Sequence, residues 1–460
     1  MERRTDVAIL GAGTAGLSAL GEVRKAGKDA LVIDGGPLGT TCARVGCMPS
    51  KAFLQPADDV HHAAFFRHEG ISGGDNIRAS LPQVMQHVRE LRDGFAGSVA
   101  ERTRRTLGEK LISGYGRFRE PTVIEVDDGT VVRADAVVVA TGATPMVPDA
   151  WRQEFAEAIL TTESFFEQQD LGQAIAVIGL GPVGLEIGQA LHRLGIEVVG
   201  VDQLPAIGAT GDDQVNRAAT ELVEAEFPLW LNARASLTRS ADGRVQVAAG
   251  ERSVTVDQVF VSMGRPPNIR GLDLDNLGVE LDENGLPTVN EQSMQADTLP
   301  VFFAGDVTGQ RPFLHEANHE GRIAGRNASR TPEPPEKHKR KISFSLTFCE
   351  PNIAQVGAKW SELRDRDDVV TGETSFADQA RARIMGRNAG LIRVYGRRGD
   401  GRLLGAAMCA PRAENLAHLL VLAVQSELTV NELLTMPIYH PVLEEGLESA
   451  LQELAKQVEK

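Results

Sequence analysis

The sequence predicts an α/β protein with two βαβ-based domains and a third, C-terminal domain of mixed α+β structure. Two stretches, residues 6–36 and 174–205, share one pattern: an apolar strand, a glycine turn, a helix, and a second apolar strand that ends at an aspartate. The C-terminal third instead combines alternating apolar and polar residues, which suit an antiparallel sheet, with strongly apolar helical stretches. This change of pattern separates the third domain from the first two.

The composition excludes several classes of protein. The chain has 460 residues, enough for about two to four domains, and a formal net charge of -15. An acidic surface argues against nucleic-acid or anionic-membrane partners. No apolar run reaches the ~18 residues of a membrane span, and no signal-peptide core precedes the first strand. With only four cysteines, a secreted disulfide scaffold is excluded, and we expect a cytoplasmic protein.

The first glycine motif, Gly11-x-Gly13-x-x-Gly16, follows an apolar strand and opens a helix. In such a Rossmann-like unit the first glycine makes a tight turn, the second admits a pyrophosphate, and the third lets helix and strand pack closely. The helix N-terminus offers N–H groups to the phosphates. Asp34, which ends the second strand, can accept a hydrogen bond from a ribose hydroxyl.

The second motif repeats the first, with each marked residue displaced by 168 positions: Gly179, Gly181, Gly184 and Asp202. Two copies at equal spacing favour two dinucleotide sites over glycine-rich turns that bind nothing. Asp202 suits a free ribose 2′-hydroxyl and would repel a 2′-phosphate. Because residues 203–211 contain no Lys or Arg to neutralise such a phosphate, the second site is predicted to bind NAD rather than NADP.

Two later segments are expected to complete the first site. The segment "ATGATP" supplies Thr141 and Gly142 after an apolar strand, and "AGDVTG" supplies Asp306 at the end of another. An acid at a strand end can bind a sugar or ribityl hydroxyl. The second glycine motif would then be inserted between the parts of the first domain.

A pair of cysteines, Cys42 and Cys47, lies in "GTTCARVGCMPSK", just after the first βαβ unit and therefore near the first cofactor. A zinc site would need closer cysteine spacing and further Cys or His ligands, so the pair is interpreted as a redox disulfide. The residues from Gly39 to Thr41 would open a helix whose dipole stabilises a thiolate in its first turns. Lys51 can place a cation beside the cofactor ring. The other two cysteines are isolated and are interpreted as buried core residues.

Together these segments resemble the flavoprotein disulfide reductases, a family of pyridine nucleotide-disulfide oxidoreductases, along nearly the whole chain. Further resembling segments are "GRPPN", "LHEANHEG", "SFSLTFCEPNIAQVG" and "IYHPVLEEGLESAL". Within the family the likeness is greatest to the dihydrolipoyl dehydrogenases. The resemblance implies two Rossmann-like dinucleotide-binding domains, one for FAD and one for NAD, a C-terminal dimerisation domain, one FAD per subunit, and a homodimer with a shared active site.

The resemblance also implies roles around the flavin. Cys42 matches the interchange thiol that attacks the substrate, and Cys47 matches the thiolate that faces the flavin. Lys51 matches a lysine near flavin N5, and Glu186 matches the glutamate that pairs with it.

The resemblance assigns His440 as the catalytic base, donated across the dimer, and Glu445 as the acid that orients it and stabilises the imidazolium. From the residues alone, a histidine before a proline is more often structural. Because a redox-active cysteine pair needs a proton acceptor, a catalytic role for His440 is favoured in this chain. His315 and His319 are interpreted as helix residues without defined chemistry.

The resemblance adds Thr41 and Lys51 to the FAD site and Gly264 to the NAD site. It also gives the domain boundaries: 1–150 for the first part of the FAD domain, 151–270 for the NAD domain, 271–335 for the second part of the FAD domain, and 336–460 for the dimerisation domain.

The sequence departs from the family pattern at a few positions. Thr40 replaces a glycine, Glu316 a lysine, Ile438 a histidine and Val442 a threonine. These changes leave the redox residues intact, but we expect the changed positions to lie near the disulfide and the flavin, where they bear on the choice of substrate.

The predicted reaction is the oxidation of protein-bound dihydrolipoyl groups by NAD⁺, with a lipoyl-bearing protein as substrate. One alternative is NAD(P)H-dependent reduction of another disulfide or of mercuric ion. The last cysteine is Cys409, so the C-terminal cysteine pair wanted for mercuric reduction is absent. A second alternative is a flavoprotein scaffold or redox sensor without turnover. No metal is predicted.

Overall fold

The structure, a computed structural model, describes residues 1–458. In this part of the chain the strands are β1 (Glu2–Leu10), β2 (Ala30–Asp34), β3 (Leu111–Ser113), β4 (Gly116–Glu120), β5 (Val123–Val126), β6 (Val131–Val139), β7 (Ile159–Leu160), β8 (Ala174–Ile178), β9 (Glu197–Val201), β10 (Leu229–Trp230), β11 (Ala235–Arg239), β12 (Val245–Ala249), β13 (Arg252–Val256), β14 (Gln258–Val261), β15 (Val301–Phe303), β16 (Phe344–Thr347), β17 (Asn352–Gly357), β18 (Val369–Ser375), β19 (Leu391–Arg397) and β20 (Leu403–Ala410).

The α-helices of the same residues are α1 (Thr14–Lys25), α2 (Thr41–Val45), α3 (Cys47–Ala63), α4 (Leu81–Leu107), α5 (Asp149–Glu154), α6 (Thr162–Phe165), α7 (Pro182–Arg193), α8 (Asp213–Glu224), α9 (Leu314–Ala328), α10 (Trp360–Leu363), α11 (Ala380–Ile384), α12 (Ala413–Gln425), α13 (Val430–Leu434) and α14 (Glu444–Val458). None of them combines the length and apolar character needed to cross a bilayer.

The chain divides into two compact units, and each unit is assembled from three separate segments. Unit 1 comprises residues 1–52, 86–146 and 264–340, and unit 2 comprises residues 53–85, 147–263 and 341–460. The finer boundaries given above for the three domains stay predictions.

The main sheet of unit 1 has the strand order β3-β2-β1-β6-β5-β4. Strands β3, β2, β1 and β6 are parallel, whereas β4 and β5 form an antiparallel hairpin at the edge. Strand β6 is shared: residues 131–133 pair with β5, and residues 137–139 pair in parallel with β15. The apolar ends of β1 and β6 are fully buried because both sheet faces are covered by separate apolar clusters.

Helices α1 and α9 of unit 1 pack with their backbones almost in contact. A Cβ atom on Gly321 would lie 2.2 Å from the carbonyl oxygen of Ala15, and one on Gly325 would lie 2.4 Å from that of Ala19. Only glycine permits this approach. The two glycines therefore let α9 pack directly against α1, the helix that follows the first glycine loop.

Unit 2 contains a parallel sheet of order β10-β9-β8-β14-β7, a small antiparallel sheet β11-β12-β13, and an antiparallel sheet β16-β17-β20-β19-β18. The last sheet shares an apolar core with α12 and α14. The predicted fold class is thereby confirmed: an α/β protein with two Rossmann-like sheets and a C-terminal α+β part.

Candidate active site

The first glycine loop has the backbone geometry that its sequence predicts. Gly11 has φ +105°, and a Cβ atom there would lie 2.3 Å from the carbonyl oxygen of Ala140. A Cβ on Gly16 would lie 1.9 Å from the Gly11 oxygen, whereas a Cβ on Gly13 would meet no atom within 4 Å. Gly13 precedes α1, and no side chain caps the helix. The loop therefore leaves open space at uncapped helical N–H groups, which fits a pyrophosphate.

The second glycine loop, in unit 2, repeats this geometry. Gly179 has φ +94°, and its Cβ would lie 2.3 Å from the Ser262 oxygen. Gly184 would place a Cβ 1.8 Å from the Gly179 oxygen, and Gly181 faces open space. Helix α7 again lacks a side-chain cap. The residues of this loop also fit a dinucleotide.

The two motif aspartates make equivalent hydrogen bonds. Asp34 accepts one from the Ala12 N–H at 2.5 Å and one from the N–H two residues downstream at 2.8 Å. Asp202 accepts one from the Leu180 N–H at 2.6 Å and one from the N–H two residues downstream at 2.8 Å. Each carboxylate thus fixes its own glycine loop as well as standing at the strand end where a ribose would bind.

A cavity of about 400 Å³ opens beside Asp34, and Arg104 and Ser113 are among its lining residues. Its size and polar lining fit part of a nucleotide. The cavity supports a ligand site at the end of β2 in unit 1.

Of the two segments expected to complete the first site, "ATGATP" is hydrogen-bonded to "GRPPN". Thr141 donates its hydroxyl hydrogen to the Asn268 oxygen at 2.8 Å, and the Asn268 side-chain amide donates to the Thr141 oxygen at 3.0 Å. The Gly142 oxygen accepts a hydrogen bond from the Asn268 N–H at 2.9 Å, and the Gly264 oxygen accepts one from the Met146 N–H. Gly264, predicted to serve NAD, therefore belongs to unit 1 with the predicted FAD residues, and its assignment to NAD stays a prediction.

Asp306 follows β15 in unit 1 and is half-buried. Burial raises its pKa, and the positive charge of Arg265 opposes that rise. The preceding residue, Gly305, donates its N–H to the buried carboxylate of Glu320 at 2.8 Å. Asp306 is thus held in a turn that is fixed from α9.

The two cysteines lie in different helices, Cys42 in α2 and Cys47 in α3. Thr40, at φ +63°, caps α2, which ends at Val45, and Cys47 then starts α3. Helix α2 has five residues and α3 has seventeen. The dipole of the longer helix therefore acts at Cys47 rather than at Cys42.

No disulfide bond joins the two cysteines in the structure, and the Cys42 side chain is hydrogen-bonded with that of Cys47. This bond and burial raise the pKa of Cys42, while the nearby charge of Lys51 lowers it. Ser50 links the two ends of the site: its hydroxyl donates to the Cys47 oxygen at 3.1 Å and accepts from Lys51 Nζ at 3.4 Å. Unit 1 thus brings both cysteines and the lysine together.

In unit 2, His440 and Glu445 are in direct contact. His440 Nδ1 lies 2.8 Å from Glu445 Oε1, and Glu445 Oε2 accepts the Val442 N–H at 3.0 Å. The hydrogen bond with His440 is the main cause that lowers the pKa of Glu445. The His440 side chain is 75% exposed. Because Val442 acts through its backbone, the threonine hydroxyl of the family pattern is not needed for this contact.

Glu186 is buried in α7, 4% exposed, and its carboxylate accepts the Phe348 N–H at 2.8 Å. Its predicted pairing with Lys51 stays a prediction. Cys349 and Cys409 are buried, and burial raises the pKa of each. Among residues 1–458, no group of three or more His, Cys, Asp or Glu side chains is arranged to hold a metal ion.

Two residues that organise the site were missed from the sequence. Asn268 lies in the quoted segment "GRPPN" and Glu320 in "LHEANHEG". A polar residue at an otherwise glycine- and proline-rich turn was the available signal for Asn268. For Glu320 the signal was an acid on the apolar side of a helix.

The chain is similar to characterised enzymes along its whole length. It is 31% identical to a dihydrolipoyl dehydrogenase of Thermus scotoductus, over 98% of both chains. It is 28% identical to a mercuric reductase of Staphylococcus aureus, over 99% of this chain and 83% of that one. The solved structure of LpdA from Mycobacterium tuberculosis matches with a TM-score of 0.83 and 28% identity, covering 98% of this chain and 99% of that chain.

Two family models match successive regions of the chain. Residues 5–321 match the pyridine nucleotide-disulphide oxidoreductase family, and residues 343–451 match the dimerisation domain of that family. The family uses FAD and NAD(H), as predicted, and the dimerisation domain supports a homodimer. From its two glycine loops, its cysteine pair and these matches, we conclude that the chain belongs to the pyridine nucleotide-disulphide oxidoreductase family.

Proposed function

We propose that this enzyme oxidises protein-bound dihydrolipoyl groups with NAD⁺ through a Cys42–Cys47 disulfide. The observation that carries the proposal is the contact between the two sulfurs at the start of α3. A dihydrolipoyl dehydrogenase that is 31% identical over 98% of the chain supports the choice of substrate.

The sulfur exchange takes place between the substrate and the two cysteines. One substrate thiolate attacks Cys42 Sγ of the disulfide, and Cys47 leaves as a thiolate. The second substrate thiolate then attacks the substrate sulfur of the mixed disulfide, which closes the lipoyl ring and releases Cys42. The substrate loses two electrons and two protons, and the enzyme disulfide becomes a dithiol. The dipole of α3 and the charge of Lys51 favour the thiolate that this step creates.

His440 is the proposed base for the substrate thiols, acting in the active site of the partner subunit. Glu445 holds its Nδ1, which leaves Nε2 to accept a proton and places a negative charge beside the imidazolium. The 75% exposure of this histidine in one subunit agrees with a role at a shared site.

When bound, FAD would supply the acceptor for the electron pair of the dithiol, and NAD⁺ would supply the final acceptor, as hydride. The glycine loops hold the two pyrophosphates, and the proposed FAD contacts are Asp34, Thr41, Lys51 and Asp306. Asp202 is proposed to select NAD through the free ribose hydroxyl. The proposed pair of Lys51 and Glu186 places opposite charges at the flavin.

The proposed partner is a lipoyl-bearing protein, since a lipoyl arm must reach the cysteine pair from outside the enzyme. A cytoplasmic location stays part of this proposal.

Mercuric reduction is a second candidate, because a mercuric reductase is 28% identical over 99% of this chain. The chain offers no extra accessible thiols for a soft metal ion, as Cys349 and Cys409 are 2% and 1% exposed.

The test is a steady-state comparison of lipoamide, glutathione disulfide and Hg(II), each with NADH and NADPH. We expect the highest kcat/KM for lipoamide with NADH, and for dihydrolipoamide with NAD⁺ in the other direction. Higher kcat/KM for Hg(II) or glutathione disulfide would replace the proposed substrate. Absence of turnover with all three would favour a sensor or scaffold.

A further inference from the structure

The basic run "EKHKRK", Glu336 to Lys341, follows the proline-rich "TPEPP", and this pattern predicts a solvated linker. In the structure, its residues up to 340 are instead fixed to unit 1. Asn327 of α9 binds the Glu336 backbone twice, accepting its N–H at 2.9 Å and donating to its oxygen at 3.0 Å. Two residues later, the His338 N–H donates to the Gln292 oxygen at 2.9 Å. These hydrogen bonds hold the backbone so that the Arg340 side chain is buried in unit 1.

Arg340 enters a buried acidic pair on α9. Its Nη2 donates to Glu316 at 2.8 Å and to Glu320 at 2.6 Å. The Arg340 side chain is 10% exposed, and both carboxylates are 1% exposed. Two buried carboxylates four residues apart repel each other unless a cation lies between them, and removal of one partner from such a buried group is costly. Arg340 is the cation that contacts both carboxylates, while Arg311 lies 3.4 Å from Glu316 alone.

Glu320 transmits this arrangement to the turn after β15. Its second carboxylate oxygen accepts the Gly305 N–H at 2.8 Å. Gly305 has φ +82°, and a Cβ there would lie 3.0 Å from the Ala15 side chain on α1. The next residue is Asp306, the acid assigned to the flavin site.

We infer that Arg340 is a positioning residue for FAD, which acts through Glu320 and the Gly305 N–H to hold the Asp306 carboxylate where it meets the cofactor. The inference rests on the FAD contact of Asp306 in the proposed function. It does not depend on the identity of the thiol substrate.

The inference also accounts for one departure from the family pattern. Glu316 stands where the family has a lysine, and in this chain Arg340 supplies the missing positive charge from the linker. Glu316 is therefore part of a buried ion pair. The change from a positive to a negative charge at this position is balanced by Arg340, which belongs to the same unit. A double variant that exchanges the charges, Glu316→Lys with Arg340→Glu, keeps one cation between two acids.

The experiment measures FAD dissociation from the purified protein, together with the melting temperature of the apoprotein and the flavin reduction potential. Arg340→Gln should raise the FAD Kd by about 10-fold or more, because it disturbs a turn that holds a charged hydrogen-bonding group. Its flavin potential should also move from that of the wild type. Arg340→Lys and the charge-exchange variant should recover most of the affinity.

Arg326→Gln is the matched control, since it removes another ion pair of α9, that with Glu22 at 2.9 Å, away from Gly305. Its FAD Kd and potential should stay at wild-type values.

Three results would overturn the inference. The first is an unchanged Kd and potential in Arg340→Gln. The second is a loss of apoprotein stability that accounts for the whole loss of binding. The third is failure of Arg340→Gln and of the charge-exchange variant to fold, which would assign the cluster to folding alone. The measurements of FAD dissociation, apoprotein melting and flavin potential contain no thiol substrate and no NAD. Their results therefore do not depend on whether the enzyme turns over lipoamide, and a failure of this inference is distinguishable from a failure of the proposed function.

Discussion

Glu445 binds two neighbours at once, His440 Nδ1 through one carboxylate oxygen and the Val442 N–H through the other. The acid thereby fixes both the imidazole and the chain turn that carries it. Glu445→Gln should lower kcat by about 10- to 100-fold, because the amide cannot balance the imidazolium charge. Steady-state lipoamide assays test this, with Glu444→Gln, a change in the same helical turn, as the control. Equal losses in both variants would contradict the pairing.

The same contact predicts a pH dependence of stability. Glu445 has a lowered pKa, chiefly because of its hydrogen bond with His440. A carboxyl whose pKa is lowered by folding stabilises the folded state above its unfolded pKa of about 4.3, and this contribution is lost as the pH falls through the folded value. The melting temperature of Glu445→Gln should therefore lie below that of the wild type at pH 7 and 5.5, and the difference should shrink below about pH 4. A melting-temperature difference between the two proteins that grows below pH 4 would contradict the lowered pKa of Glu445.

The cysteine pair predicts opposite effects of two neighbours on Cys42. Because the bond with Cys47 is the largest cause that raises the Cys42 pKa, Cys47→Ala should let iodoacetamide modify Cys42 at lower pH than in the reduced wild-type protein. Lys51→Gln should move the modification to higher pH. The buried Cys349 and Cys409 should stay unmodified in the native protein. An unchanged pH midpoint in Cys47→Ala would refute the thiol contact.

The charge of Asp202 is expected to set the preference for NAD. Asp202→Asn keeps an oxygen for the Leu180 N–H but removes the charge that repels a 2′-phosphate. The ratio of kcat/KM for NADH over NADPH should fall by about 10-fold or more. Asp34→Asn, the equivalent change at the first loop, should leave that ratio unaltered. If both changes shift the ratio equally, Asp202 has no special role in nucleotide choice.

Two glycines of one loop should respond differently to the same substitution. A methyl group on Gly181 would enter open space, so Gly181→Ala should melt within about 2 °C of the wild type and raise the KM for NADH about 10-fold. A methyl group on Gly184 would lie 1.8 Å from a backbone oxygen. Gly184→Ala should therefore melt at least about 10 °C lower. Equal melting temperatures in the two variants would contradict this difference in packing, and an unchanged KM for NADH in Gly181→Ala would contradict the assignment of the open space to the nucleotide.

Features that depend on local constraints could be predicted from the sequence. A positive φ or a close backbone approach demands glycine at Gly11 and Gly179, so spacing alone located both loops. The contact of His440 with Glu445 spans five residues and was expected from the resemblance to a known family. The parallel sheets followed because continuous apolar strands alternate with helices.

Features that depend on distant partners could not be predicted in the same way. Arg340 looked like one more charge in a solvated basic run, since its acceptors lie 20 and 24 residues earlier on α9. The break between α2 and α3 could not be predicted, because two consecutive helices and one longer helix have the same local composition. What places Cys47 at a helix start is the backbone turn at Gly46, which sequence periodicity does not reveal.

The close packing of α1 against α9 has a consequence for the order in which the protein is made. Strand β15 and α9, which complete the sheet and core begun by β1 and α1, leave the ribosome only after some 300 residues have been synthesised. The strands of the second parallel sheet all lie between residues 159 and 261, so that sheet can assemble while the first still lacks its final strand and helix. The nascent chain must therefore keep an unfinished apolar surface soluble through most of its translation.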